Sequence, residues 1–137
     1  MIEAANLAGV DCVKFQMRSL ETLYRQRTLA MDETDLATEY VLDLLNKYSL
    51  SVPQHKELKS IVESKDLDYM CTPWENDSVD ILEDFGVERY KIASADFTNL
   101  ELIEKVLATG KPTFISCGMA SMTEICKVLL FLEKYEN

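Results

Sequence analysis

The sequence predicts an α/β protein, a partial (β/α)8 barrel of about four βα units with parallel strands, forming one domain over residues 1–137. Three observations lead there. Short apolar segments ending at Thr72, Ser94 and Ser116 recur 22 residues apart, each followed by a helical segment, and strands that alternate with helices build a parallel sheet. The helix starts Thr72-x-x-Glu75, Thr98-x-x-Glu101 and Ser121-x-x-Glu124 fit the capping box, in phase with that repeat. Gly86 and Gly110 then stand where two of the helices should stop in a left-handed residue.

Taken in order, Ile2 to Gly9 reads as the back half of a helix, and Asp11 to Met17 as an apolar strand. A polar connection from Arg18 to Asp35 has no clear period, and its length makes it a candidate active-site loop. Leu36 to Tyr48 has helical spacing through Ala37, Tyr40, Val41, Leu44 and Leu45. Ser51-x-x-Gln54 caps a helix to about Ser64, with Pro53 tolerated in its first turn. Three units follow: strand Asp68 to Pro73 with helix Glu75 to Phe85, strand Arg89 to Ser94 with helix Leu100 to Thr109, and strand Pro112 to Gly118 with helix Met122 to about Tyr135. A closed barrel takes eight units and typically about 250 residues. The expectation is therefore a piece whose first strand and later half are absent and whose Met1 is internal to a longer parent. A complete small open α/β domain is the alternative.

Composition narrows the function classes. A net charge of −10 argues against nucleic acid, which calls for a basic face, and against an anionic membrane surface. No apolar run approaches the roughly 20 residues of a membrane span, and the first residues lack the basic and apolar regions of a signal peptide. Cys12, Cys71, Cys117 and Cys126 form no C-x-x-C pair, and three of them fall in strands expected to be buried. They read as small apolar residues in a reducing cytoplasm. His55, the only histidine, is expected at the solvent-exposed start of a helix and is given no role.

The candidate chemistry sits in the strands. Lys14 and Lys91 lie inside segments that otherwise read as buried, with no acidic residue beside either in its own strand. Lysine is seldom buried without a partner for its charge. On neighbouring strands the pair would form a cationic pocket for a small, multiply charged anion such as a phosphorylated metabolite. Ligands of parallel α/β folds bind outside the carboxyl ends of the strands, where the chain offers Lys14, Gln16, Thr72, Lys91, Ser94 and Ser116. Two ammoniums, hydroxyls and an amide suit a phosphate and a carboxylate on one molecule. Blander readings stand beside this one. Either lysine can reach water from an edge strand, Thr72 and Ser116 can satisfy backbone groups, and Trp74 reads as packing. The carboxylates of Glu39 and Asp43, and of Asp80, Glu83 and Asp84, read as solvated helix faces.

The segments Val13-Lys-Phe-Gln16, Cys71-Thr-Pro73, Tyr90-Lys-Ile-Ala-Ser94, Thr98-Asn-Leu100 and Thr109-Gly-Lys-Pro-x-x-x-Ser-x-Gly-Met119 closely resemble the sialic acid synthase (N-acetylneuraminate synthase) family, including the pseudaminic and legionaminic acid synthases. The resemblance runs over nearly the whole chain. It implies a (β/α)8 enzyme that condenses phosphoenolpyruvate with an N-acyl amino sugar and releases phosphate, with Mn2+ or Mg2+ as the divalent ion. Lys14, Gln16, Thr72, Lys91, Ser94 and Ser116 would hold the phosphoenolpyruvate, Lys14 and Lys91 acting catalytically by neutralising charge. The parent would be a cytoplasmic homodimer, with metal ligands, a first-strand carboxylate and a C-terminal antifreeze-like domain all outside this chain. Cys117 and Ala95 depart from the threonine and glycine of many relatives. By itself the piece is expected to be inactive. A non-catalytic module that binds an anionic metabolite or docks on another half-barrel remains the alternative. Another phosphoenolpyruvate-using barrel fits the strand motifs less well.

Overall fold

The computed structural model describes residues 1–19, 44, 45 and 47–135. In chain order its elements are α1 (Ile2–Leu7), β1 (Cys12–Met17), α2 (Val52–Glu63), β2 (Asp68–Pro73), α3 (Asn76–Asp84), β3 (Arg89–Ile92), a 3-10 turn (Ser94–Asp96), α4 (Leu100–Leu107), β4 (Thr113–Ile115), α5 (Met122–Leu132) and a second 3-10 turn (Glu133–Tyr135). The connection from Arg18 to Asp35 and most of the helix expected over 36–48 lie outside the described residues; Leu44, Leu45, Lys47 and Tyr48 are helical.

The four strands form one parallel sheet in the order β1-β2-β3-β4. Each strand lies beside the one before it in sequence. The order corrects one expectation: Lys14 on β1 and Lys91 on β3 are not on neighbouring strands, because β2 runs between them. In register, Lys14 lies beside Met70, Gln16 beside Thr72, and Met70 beside Arg89. Side chains alternate across a strand, so Lys14, Gln16, Met70, Thr72, Arg89, Lys91 and Phe114 share one face. The other face packs Tyr69, Cys71, Tyr90 and Ile92 against Val62, Val79, Leu82, Leu102, Ile103 and Val106 of the helices.

The helix starts sort into two kinds. Ser51 and Ser121 make complete capping boxes with Gln54 and Glu124. The other two expected boxes do not form. Thr72 is drawn into β2, and Glu75 itself occupies the N-cap of α3, its carboxylate accepting from the Ser78 hydroxyl and, at 2.7 Å, from the Ser19 N–H. For α4 the turn after β3 delivers Asn99 to the N-cap, where its side-chain oxygen accepts from the Leu102 N–H at 3.3 Å; Thr98 is left outside. Gly86 ends α3 at φ 70, with the Gly86 N–H on the Glu83 carbonyl and the Val87 N–H on that of Leu82. This is the paired helix-ending pattern that left-handed residues close.

Burial corrects two further expectations. His55 is fully buried, since α2 lays its first turn on the sheet: Nδ1 lies 2.7 Å from the Tyr69 hydroxyl and the ring meets Phe15 edge-on. Of the cysteines, Cys71 is buried and Cys12 half-buried, but β4 stops at Ile115, so Cys117 lies beyond it, exposed like Cys126. All four are free thiols. No helix among the described residues is long and apolar enough to cross a membrane.

Candidate site at the carboxyl ends of the strands

At the amino end Asp68 and Arg89 pair at 2.8 Å. Lys91 stands toward the carboxyl end of β3, two residues beyond Arg89, whereas Lys14 is mid-strand in β1, in the row of Met70 and Arg89 and short of the strand end where it was expected; among the described residues neither lysine forms an ion pair. Their exposure differs from the buried pocket expected. Lys14 is exposed and Lys91 half-buried among the described residues. Burial and the neighbouring charge of Lys14 both hold the Lys91 ammonium below the usual lysine range. That like-charge coupling, across an intervening strand, disfavours the doubly charged state.

The remaining candidates surround these two. Lys91 Nζ donates to the Ile92 carbonyl at 2.9 Å, and the Ser116 N–H donates to the same oxygen at 3.1 Å, so the lysine head and the end of β4 meet at one atom. Thr72 is buried, and its hydroxyl has no hydrogen-bond partner among the described residues. An unpaired buried hydroxyl costs about 1–3 kcal/mol, which a ligand would recover. Ser94 opens the turn after β3 and is half-buried, as is Ser116. Among the described residues no hydrogen bond joins any two of the six.

Four residues that the sequence reading gave no site role lie at the same end. The Gln16 carbonyl oxygen accepts from Arg18 Nη2 at 2.8 Å and from Trp74 Nε1 at 3.0 Å, and the Arg18 guanidinium lies 4.2 Å from the centre of the Trp74 ring. Trp74 therefore does more than pack. Burial pushes the carboxyls of Glu75 and Asp96 above their ordinary range, against the lowering effect of their hydrogen bonds and of Arg18. One oxygen of each is buried without a hydrogen-bond partner among the described residues. The signal for all four was position: Arg18, Trp74, Glu75 and Asp96 each stand within two residues of a strand end or of Ser94. Among the described residues no group of three or more His, Cys, Asp or Glu side chains could hold a metal ion.

The NeuB family model matches residues 1–137. The chain is 32% identical to the N,N'-diacetyllegionaminic acid synthase of Campylobacter jejuni over 98% of its own length and 41% of that protein. It is 28% identical to the N-acetylneuraminate-9-phosphate synthase of Mus musculus, over 93% of the chain and 36% of the relative. Among solved structures, the N-acetylneuraminic acid synthetase of Leptospira borgpetersenii, in complex with citrate, superposes with a TM-score of 0.82 at 26% identity, over 98% of this chain and 44% of that one. The chain thus spans less than half the length of these relatives. Its α/β fold of about four parallel βα units is part of the barrel architecture such synthases share.

Proposed function

The chain belongs to the NeuB family, and on that premise we propose that it is part of a phosphoenolpyruvate-dependent synthase that joins phosphoenolpyruvate to an N-acyl amino sugar. The product would be a nonulosonic acid, with phosphate released. Relatives named as synthases of legionaminic, pseudaminic and neuraminic acids support a synthase role in this biosynthesis. The phosphoenolpyruvate step is our reading of the site.

One observation carries it: Lys14 and Lys91 share a face of the sheet and lack acidic partners among the described residues, and burial together with the charge of Lys14 lowers the Lys91 ammonium. Such a pair is relieved by an anion placed between them. The phosphate of phosphoenolpyruvate would take the ammoniums, and the hydroxyls of Thr72, Ser94 and Ser116 would donate to its oxygens. Gln16, level with Thr72, would reach the same molecule. The two lysines would also neutralise charge developing on the reactant, in fixed positions that need no rearrangement during reaction. A divalent ion, Mn2+ or Mg2+, belongs to the proposal only for a longer protein, on ligands outside this chain, as do the amino sugar and a homodimeric assembly.

Thermal melting of the chain with and without millimolar phosphoenolpyruvate tests the reading. A ligand bound only to the folded state stabilises it by about 2.7 kcal/mol at a hundredfold excess over its dissociation constant. The expected result is an upward shift of the melt that Lys91→Ala abolishes. A cooperative melt indifferent to phosphoenolpyruvate would sink the assignment.

A further inference from the structure

We infer that Trp74 is a positioning residue: with Arg18 it fixes the Gln16 amide so that the pocket receives N–H donors and not a carbonyl oxygen. The inference rests on the anion-binding reading above and deepens it. A side-chain carbonyl has two lone pairs, and both are taken at Gln16, by Trp74 Nε1 at 3.0 Å and Arg18 Nη2 at 2.8 Å. Trp74 Nε1 and Arg18 Nη2 can only donate, so the opposite amide orientation would set Gln16 N–H groups against two donors. The Gln16 NH2 group, which makes no hydrogen bond among the described residues, is thereby left for a ligand. It lies on the face that carries Lys14 and Lys91, level with the unpartnered hydroxyl of Thr72. An anion is the ligand that such a donor suits, beside two ammoniums and a hydroxyl that can donate to it.

The indole also holds its partner in place. Arg18 sits over the Trp74 ring, 4.2 Å from its centre, which orients the guanidinium toward the same carbonyl. Trp74→Phe keeps a ring beneath Arg18 and removes only the N–H, so it isolates the hydrogen bond to Gln16.

Because Trp74 is the only tryptophan of the chain, its indole N–H gives a single 15N-correlated resonance. Gln16→Ala is expected to move that resonance and to speed its exchange with water. Phosphoenolpyruvate binding, followed by calorimetry, is expected to weaken about threefold to tenfold in Trp74→Phe, the range of one neutral hydrogen bond. That loss should vanish when Trp74→Phe is made in the Gln16→Ala background, an interdependence that a purely structural role for Trp74 would not produce. An indole resonance indifferent to Gln16→Ala, or equal losses from Trp74→Phe in both backgrounds, would overturn the positioning role. Binding by the unmodified chain that ignores Trp74→Phe would overturn that role alone. An unmodified chain that does not bind phosphoenolpyruvate would overturn the pocket reading itself, and the donor role with it.

Discussion

His55 couples the stability of the fold to pH. Its ring is fully buried beside Tyr69 and Phe15, and burial holds the imidazole below its usual range, so the folded state favours the neutral form. The unfolded chain titrates near pH 6.5. The stabilisation is therefore complete above about pH 6.5 and declines as pH falls from there through the lower folded value. The urea midpoint should drop between pH 7.5 and 5.5, and His55→Asn should flatten that dependence; an equal slope in the variant would count against the assignment. The site was legible at this scale wherever strand alternation decides the matter. Lys14 and Gln16 share a face because they are two residues apart, and Thr72 proved to be a strand residue. Exposure was not legible, because an isolated strand does not record whether a helix covers both of its faces. Nor were the Gln16, Arg18 and Trp74 contacts, which join residues 58 positions apart in the case of Gln16 and Trp74.

Among the helices, the two caps the sequence misassigned offer a direct test. Asn99→Ala should cost about 1 kcal/mol, the usual worth of a lost N-cap, and lower the melting temperature by a few degrees. Thr98→Ala, outside the cap, should stay within about 0.5 kcal/mol. The reverse ranking would restore the threonine cap. Both readings place a helix in the same region, which is why the βα repeat was recovered although two starts were not. The apolar strands and the helix-ending glycines sit close to their expected places, because hydrophobic period and left-handed backbone are local properties. The choice between Thr98 and Asn99 depends on how many residues the turn after β3 consumes, a detail of the path and not of the pattern. β3 and β4 end earlier than their apolar runs, at Ile92 and Ile115, since the chain leaves the sheet where it turns toward the next helix.

For the molecule as a whole, the exposed apolar groups and the charge at the sheet matter most. Phe114 on edge strand β4 is 56% exposed, and Leu129 and Leu130 on α5 are 55% and 63% exposed. Open strand edges beside exposed apolar groups promote association. Sedimentation velocity of the chain should show self-association rising with concentration, reduced by Leu130→Lys; a stable monomer at all concentrations would contradict this. A different consequence follows from Lys14 and Lys91, which form no ion pair among the described residues. The molecule carries a net charge of −10, so an approaching polyanion is repelled by the whole before it is attracted by the part. The two influences have different reach, and dissolved salt separates them. At about 0.1 M the repulsion is screened beyond roughly 10 Å, while contacts at the lysines are affected less. The association rate of phosphoenolpyruvate should therefore climb as salt is raised from about 10 mM to 100 mM, whereas ordinary capture of an anion by a cationic protein slows over the same range.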